Sequence, residues 1–340
     1  AAAALLAGMS LLLSSAPSAA QDTFEDAMAL MEADPARALA SLESLAEGGD
    51  NEAVNAVASI IDNPPEGVPQ DQARALRLWE QAVAGGSDAA RLNLGTRLLV
   101  NDDPADDERA VAMLRAIRDA RLIPFAAYPL GRAALFGDGV EQDMAEGARL
   151  LEAAVETSPA NIDAQFLLGR AYQNGWGVPV DSVAAYRHLK IAADGGDSRA
   201  QWNVGMALLN GEGVTENPAL AYAYVRASAE DGDVNGMTSM AVMLALGQGV
   251  ERDPAQARQW YRRAAETGSA HALRGLAGML LTGEGGRVDA VTGAAYLDLA
   301  VKAGDENAPR MQQIFADQIA ALDQGAVEAV KAAWLREHGI

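Results

Sequence analysis

"NGWGV", residues 174 to 178, sets two glycines one residue apart ahead of a valine. Such a pair can cradle a phosphate, because glycine lets backbone N–H groups approach a ligand closely, or it can simply turn the chain. The rest of the sequence decides between the two. The pattern returns as "FGDGV" (136–140), "NGEGV" (210–214), "LGQGV" (246–250) and, weakened, "TGEGG" (282–286). A phosphate loop is normally used once, so a pattern used five times reads as a turn. The first glycines stand at 137, 175, 211, 247 and 283, with spacings of 38, 36, 36 and 36, and a second series, Gly196, Gly232, Gly268 and Gly304, keeps the same step of 36. Two markers sharing one period identify a tandem repeat.

Inside one unit an apolar-periodic segment is followed by the Gly-x-Gly turn, a second such segment and a glycine stop. In 199–234, Ala200, Val204, Ala207 and Leu208 share one stripe of a helix. Asn217-Pro218 then supplies an N-cap and a proline at N1, and Gly232 ends the second helix. Asp253-Pro254 repeats the start signal one period later, and Asp34-Pro35 is an earlier, degenerate copy. No strand pattern appears, so the expected fold class is all-α.

The segment "AQFLLGRAYQNGWGVPVDSVAAYRHLKIAADGGD" (164–197) resembles the Sel-one-like repeat, a tetratricopeptide-like helical hairpin, and the two units that follow it resemble that repeat nearly as well. The resemblance implies a right-handed α-α superhelix: about seven hairpins over 51–308, with 21–50 and 309–340 as capping segments. Units 51–88 and 89–121 depart from the pattern, carrying "NPPEGV" and "NDDPADD" in place of Gly-x-Gly.

Residues 1–20 are uncharged and hold a short apolar stretch, Leu5 to Leu13, followed by small residues. They read as a signal peptide cut before Gln21, which makes the bacterial periplasm the expected location and secretion the alternative. No later segment is apolar enough to predict a membrane span. Without cysteine the chain can form no disulfide and no lipidated Cys. Its net charge of −21 speaks against nucleic acid or an anionic membrane as partner.

Little in the sequence points to chemistry. His188, His271 and His338 fall in different units without metal-ligand spacing, so neither a metal nor a cofactor is expected. No Gly-x-Ser-x-Gly or Ser-x-x-Lys signature marks a nucleophile. Asp102-Asp103, Asp106-Asp107-Glu108 and Glu230-Asp231 lie at predicted helix starts and turns, where carboxylates cap or solvate. Relatives linked to β-lactam hydrolysis resemble disulfide-stapled proteins, which this chain is not. The expectation is a non-enzymatic, monomeric scaffold or regulatory adaptor of the cell envelope, with a glycan-binding or peptidoglycan-acting protein as the alternative.

The resemblance also implies where a protein partner would lie: on the concave face lined by the first helix of each unit. The position three before the first-helix glycine, or its equivalent, reads Leu92, Tyr128, Phe166, Trp202, Thr238 and Arg274, and the position after it Thr96, Arg132, Arg170, Met206, Val242 and Gly278. Aromatic and Arg side chains are preferred interface anchors, which singles out Tyr128, Arg132, Phe166, Arg170 and Trp202. The competing reading is that these aromatics pack between helices, as Trp176 and Trp260-Tyr261 are expected to do.

Overall fold

The computed structural model of the protein describes residues 23–100 and 103–338; the expected signal segment and Asp102 lie outside them. Nineteen helices and no strand are found among the described residues. They fall into two compact units divided after Ser158. The first holds α1 (Phe24–Ala29), α2 (Pro35–Glu47), α3 (Asn51–Asp62), α4 (Gln72–Ala84), α5 (Asp88–Leu98), α6 (Pro104–Arg115), α7 (Ile123–Phe136) and α8 (Met144–Thr157). The second holds α9 (Ile162–Asn174), α10 (Ser182–Asp194), α11 (Ser198–Asn210), α12 (Pro218–Glu230), α13 (Val234–Leu246), α14 (Pro254–Ala265), α15 (Ala270–Thr282), α16 (Ala290–Lys302), α17 (Ala308–Ile314), α18 (Ala316–Ala320) and α19 (Gln324–Glu337).

Within the second unit α9/α10, α11/α12, α13/α14 and α15/α16 are hairpins, and each second helix also packs on the first helix of the next. The array ends where α17 and α19 fold back onto α16. The first unit is built the same way from α3/α4, α5/α6 and α7/α8, with α1 and α2 ahead of them. Hairpins thus form at 51–88 and 89–121 although the Gly-x-Gly turn is missing there.

Caps set the helix starts. Asn217 Oδ1 accepts from Leu220 N (3.1 Å), Asp253 Oδ1 from Gln256 N (2.9 Å) and Asp34 Oδ1 from Arg37 N (3.1 Å), and a proline occupies the first turn each time. Asp103 caps α6 in the same manner, and that cap with Pro104 starts the helix in the degenerate unit. Eleven of the described helices begin on an aspartate whose carboxylate accepts a first-turn N–H. Part of the acidity of the chain is therefore structural, and it suits the positive end of the helix dipole.

The turn glycines have two separate duties. Gly211 and Gly247 are left-handed C-caps of α11 and α13, with φ of 72° at each. Gly213 and Gly249 also have positive φ (69° at each), and a Cβ on them would overlap the backbone carbonyl of Ser182 or Pro218, in the first turn of the preceding hairpin's second helix. The second glycine is thus where one hairpin seats on the last. Closer to the core, a Cβ on Gly205 would stand 2.6 Å from Val225 Cγ2, so the first-helix glycine lets the two helices of a hairpin come together. Ala200, Val204, Leu208, Ala221 and Val225, all at most 2% exposed, fill the space between α11 and α12.

Gly249→Ala and Gly232→Ala separate these effects. Gly232 has φ of 89° and open space where a Cβ would point, so alanine there costs about 1 kcal/mol of backbone strain. At Gly249 the overlap with Pro218 is added, and the expected cost rises to about 3 kcal/mol. Urea unfolding of both variants checks this; equal losses would show that the glycine is needed only for its φ.

Candidate functional site

A first helix flanked by its own second helix and by those of its neighbours has one strip left for solvent. α11 buries Ala200, Gln201, Asn203, Val204, Gly205, Ala207 and Leu208, and its strip is Arg199, Trp202, Met206 and Asn210. One period on, α13 presents Asn235, Thr238, Val242 and Leu246, the last 65% exposed. α15 presents His271, Arg274, Gly278 and Thr282. On α9 the corresponding positions are Asp163, Phe166, Arg170 and Asn174.

Side chains tie these strips together. The Arg199 guanidinium lies 4.2 Å above the Phe166 ring and pairs with Asp163 (3.3 Å) and with Asp197. The hydrogen bond to Asp197 is the main cause that raises the Arg199 pKa above its ordinary value. Trp202 Nε1 donates to Ser239 Oγ across to α13 (3.0 Å). Arg274 Nε stands 2.8 Å from Asp305 Oδ1, which accepts from the backbone N–H groups of Asn307 and Ala308 ahead of α17.

The five anchor positions expected from the sequence therefore differ in what they can offer. Phe166 is only 9% exposed beneath Arg199, so it is packing for α9 and α11. Trp202 is half-buried, with its N–H engaged but part of its surface on the strip. Arg170 places its guanidinium carbon 5.6 Å from the centre of the Trp176 ring, and its Nε is buried without a hydrogen-bond partner. Tyr128 and Arg132 belong to α7 of the first unit. Tyr128 is half-buried, and Arg132 donates from Nη1 to Leu99 O (2.8 Å) and pairs with Asp138 (3.3 Å), closing the C-terminal end of α5. Reading two positions per helix missed Leu246 and Arg199; the i, i+3, i+7, i+11 spacing of the whole strip would have found both.

Most of the other singled-out residues serve packing, and His271 stands exposed on the α15 strip. Arg263 stacks 4.4 Å over Trp260, and Tyr261 lies where Gly275 has no side chain; burial raises its phenol pKa. His188 is buried, with Nδ1 2.7 Å from Gln165 Oε1 and its ring stacked on Tyr172. His271 Nε2 lies 3.7 Å from Asp305, and His338 has Nδ1 against Trp334 O and Nε2 against Glu266 O. Among the described residues no group of three His, Cys, Asp or Glu side chains could hold a metal ion, and no helix is long and apolar enough to cross a membrane.

Comparison with known proteins follows the same boundaries. The Sel1 repeat family model matches residues 52–87, 124–156, 162–197, 198–233, 234–269 and 270–305. It therefore includes the hairpin of α3 and α4 and passes over the one formed by α5 and α6. The protective antigen c5321 of uropathogenic Escherichia coli, which displays an SLR fold, is 25% identical over 88% of this chain, with a TM-score of 0.68. This chain spans 64% of that protein's length. A Sel1 repeat protein from Oxalobacter formigenes is also 25% identical, over 73% of this chain and 96% of its own, with a TM-score of 0.62. No curated protein matches the chain.

If Trp202 staples α11 to α13 through Ser239, then Trp202→Phe and Ser239→Ala each cost about 1 kcal/mol, and the double variant costs little more than either alone. Denaturant unfolding of the four proteins gives the coupling. Full additivity would mean that the hydrogen bond carries no stability.

Proposed function

The chain belongs to the Sel1 repeat family, and on that footing we propose that it is a non-enzymatic scaffold or regulatory adaptor of the bacterial cell envelope, holding a partner segment on the first-helix face of its second unit. Sel1 repeat proteins generally mediate protein–protein interaction, so a protein partner is the starting expectation. One observation carries the choice of face: the first helices α11 and α13 are buried all round except for a strip where Trp202, Met206, Val242 and Leu246 reach the surface. Half-buried apolar and aromatic groups on a rigid frame lose little conformational entropy on binding, and methionine adapts to partners of different shape. Of the five anchors named from the sequence, Trp202 and Arg170 carry most of the contact, Phe166 supports them from below, and Tyr128 and Arg132 hold the corresponding positions of the first unit.

The envelope location rests on the apolar stretch and small residues of 1–20. If it holds, protein recovered from the periplasm starts at Gln21 by mass spectrometry.

A photo-crosslinking amino acid at Met206 or Val242, compared with the same group at the exposed second-helix positions Ile191 and Arg226, tests the face in living cells. The expected result is a discrete crosslinked product from the two strip positions and none from the controls. Products from the controls alone would move the interaction to the second helices and overturn the proposal.

A further inference from the structure

We propose that His338 is a proton-operated latch: with a proton on both ring nitrogens it fastens α19 to the end of α14, and the fastening strengthens as the pH falls. A count of donors carries this.

The imidazole of His338 lies between two backbone carbonyls, with Nδ1 2.7 Å from Trp334 O and Nε2 3.0 Å from Glu266 O. A carbonyl can only accept, and a neutral imidazole has one N–H, so the neutral ring satisfies one carbonyl and turns a lone pair towards the other. The imidazolium donates to both. Its surroundings select the same form. Glu266 is the C-cap of α14 and Trp334 stands in the last turn of α19, so both oxygens belong to helix C-terminal ends, where a cation is favoured. The ring also lies on the Trp334 indole, with centroids 4.0 Å apart and planes 17° from parallel, and the face of an indole attracts a cation.

The charged side chains of the helix ends that meet here offset one another. Glu266 and Glu337 favour the imidazolium, while Arg262 and Arg263 in the last turn of α14 and Arg336 in that of α19 oppose it. Tyr296 of α16 faces Arg262, Glu266 and Glu337 and stays neutral, because burial pushes its phenol up. His271 of α15 lies instead against Asp305, 3.7 Å away, where Arg274 is the nearer cation. The two carbonyls and the indole therefore set the sign. Docked α19 gains from protonation a hydrogen bond that freed α19 does not, so docking strengthens as the pH falls through the ordinary histidine range, about 6.5, and weakens as it rises.

The latch has apolar surface to hold. Trp334 is 8% exposed and packs towards Gly268 in the turn between α14 and α15, and Val327 of the same helix is buried on Ala294 and Ala295 of α16. Freeing α19 uncovers that side of α16, the second helix of the last hairpin.

Two measurements on the full chain test this. In protein labelled with ¹⁵N-histidine, NMR detects ring N–H protons that a hydrogen bond shelters from water, and His338→Gln assigns those of His338. Hydrogen exchange of α19, read by mass spectrometry at about pH 5.5 and about pH 7.5 and corrected for the intrinsic rate at each, reports its docking, with α15 as the internal reference. The expected result is two sheltered ring protons on His338 at the lower pH and fewer at the higher, with α19 exchanging about five- to tenfold more slowly at the lower. In His338→Gln, whose amide donates to one carbonyl at either pH, that ratio falls to about one; in His271→Gln it is unchanged. Fewer than two sheltered ring protons at about pH 5.5, exchange of α19 that ignores pH, or a pH dependence that survives His338→Gln would overturn the latch. Loss of the dependence in His271→Gln alone would assign it to the Asp305 pair and overturn it as well. The ring protons are read on the unaltered chain, so they decide the matter even where His338→Gln detaches α19 altogether.

Discussion

In the second unit the stacking depends on a missing atom. At Gly213, Gly249 and Gly285 a turn sits against the backbone carbonyl at the start of the preceding second helix, leaving no room for even one methyl group. Hydrophobic burial is tolerant of small shifts between helices; this steric contact is not. It fixes how far one hairpin sits from the last, and the apolar surfaces of α10, α12 and α14 then fill the space so defined. The left-handed backbone at the same glycines would alone demand glycine or asparagine, but overlap with a carbonyl admits only glycine.

The exposed strip of first-helix residues is a consequence of that seating. Once each first helix is held between second helices, its residues divide into a large buried arc and one narrow strip, and the strips of neighbouring repeats fall into register because the repeats have equal length. Residues on the strip are then free to vary where those on the arc are not. Phe166, Trp202, Thr238 and Arg274 occupy one equivalent position and range from aromatic to hydroxyl to cation, while the buried equivalent position holds only Ala164, Ala200, Gly236 and Ala272.

What could be read from the amino acids follows a simple division. Features decided within one hairpin were legible: the caps at Asn217 and Asp253, the helical period, the turns and the stops all depend on neighbours a few residues away. Features decided between hairpins were not. Phe166 is covered by Arg199, thirty-three residues later. Arg132 is used by the carbonyl of Leu99, thirty-three residues earlier, and Trp202 by Ser239. A position on the expected face is thus readable from periodicity, while the share of it left for a partner is set by side chains from the next repeat. The degenerate stretch 89–121 shows the converse, since Ser87 and Asp103-Pro104 suffice to start its helices when the turn signature is gone.

The abutting glycines also act as a ruler. Each contact joins a turn to a backbone atom about one repeat earlier, so an insertion or deletion of a few residues between them would bring a residue with a side chain to the point of overlap. Among Gly213, Gly249 and Gly285, whose contacts recur every 36 residues, only a gain or loss of a whole unit preserves every contact at once. The length of this part of the array is therefore quantised: it changes by duplication or loss of entire hairpins, each adding one strip.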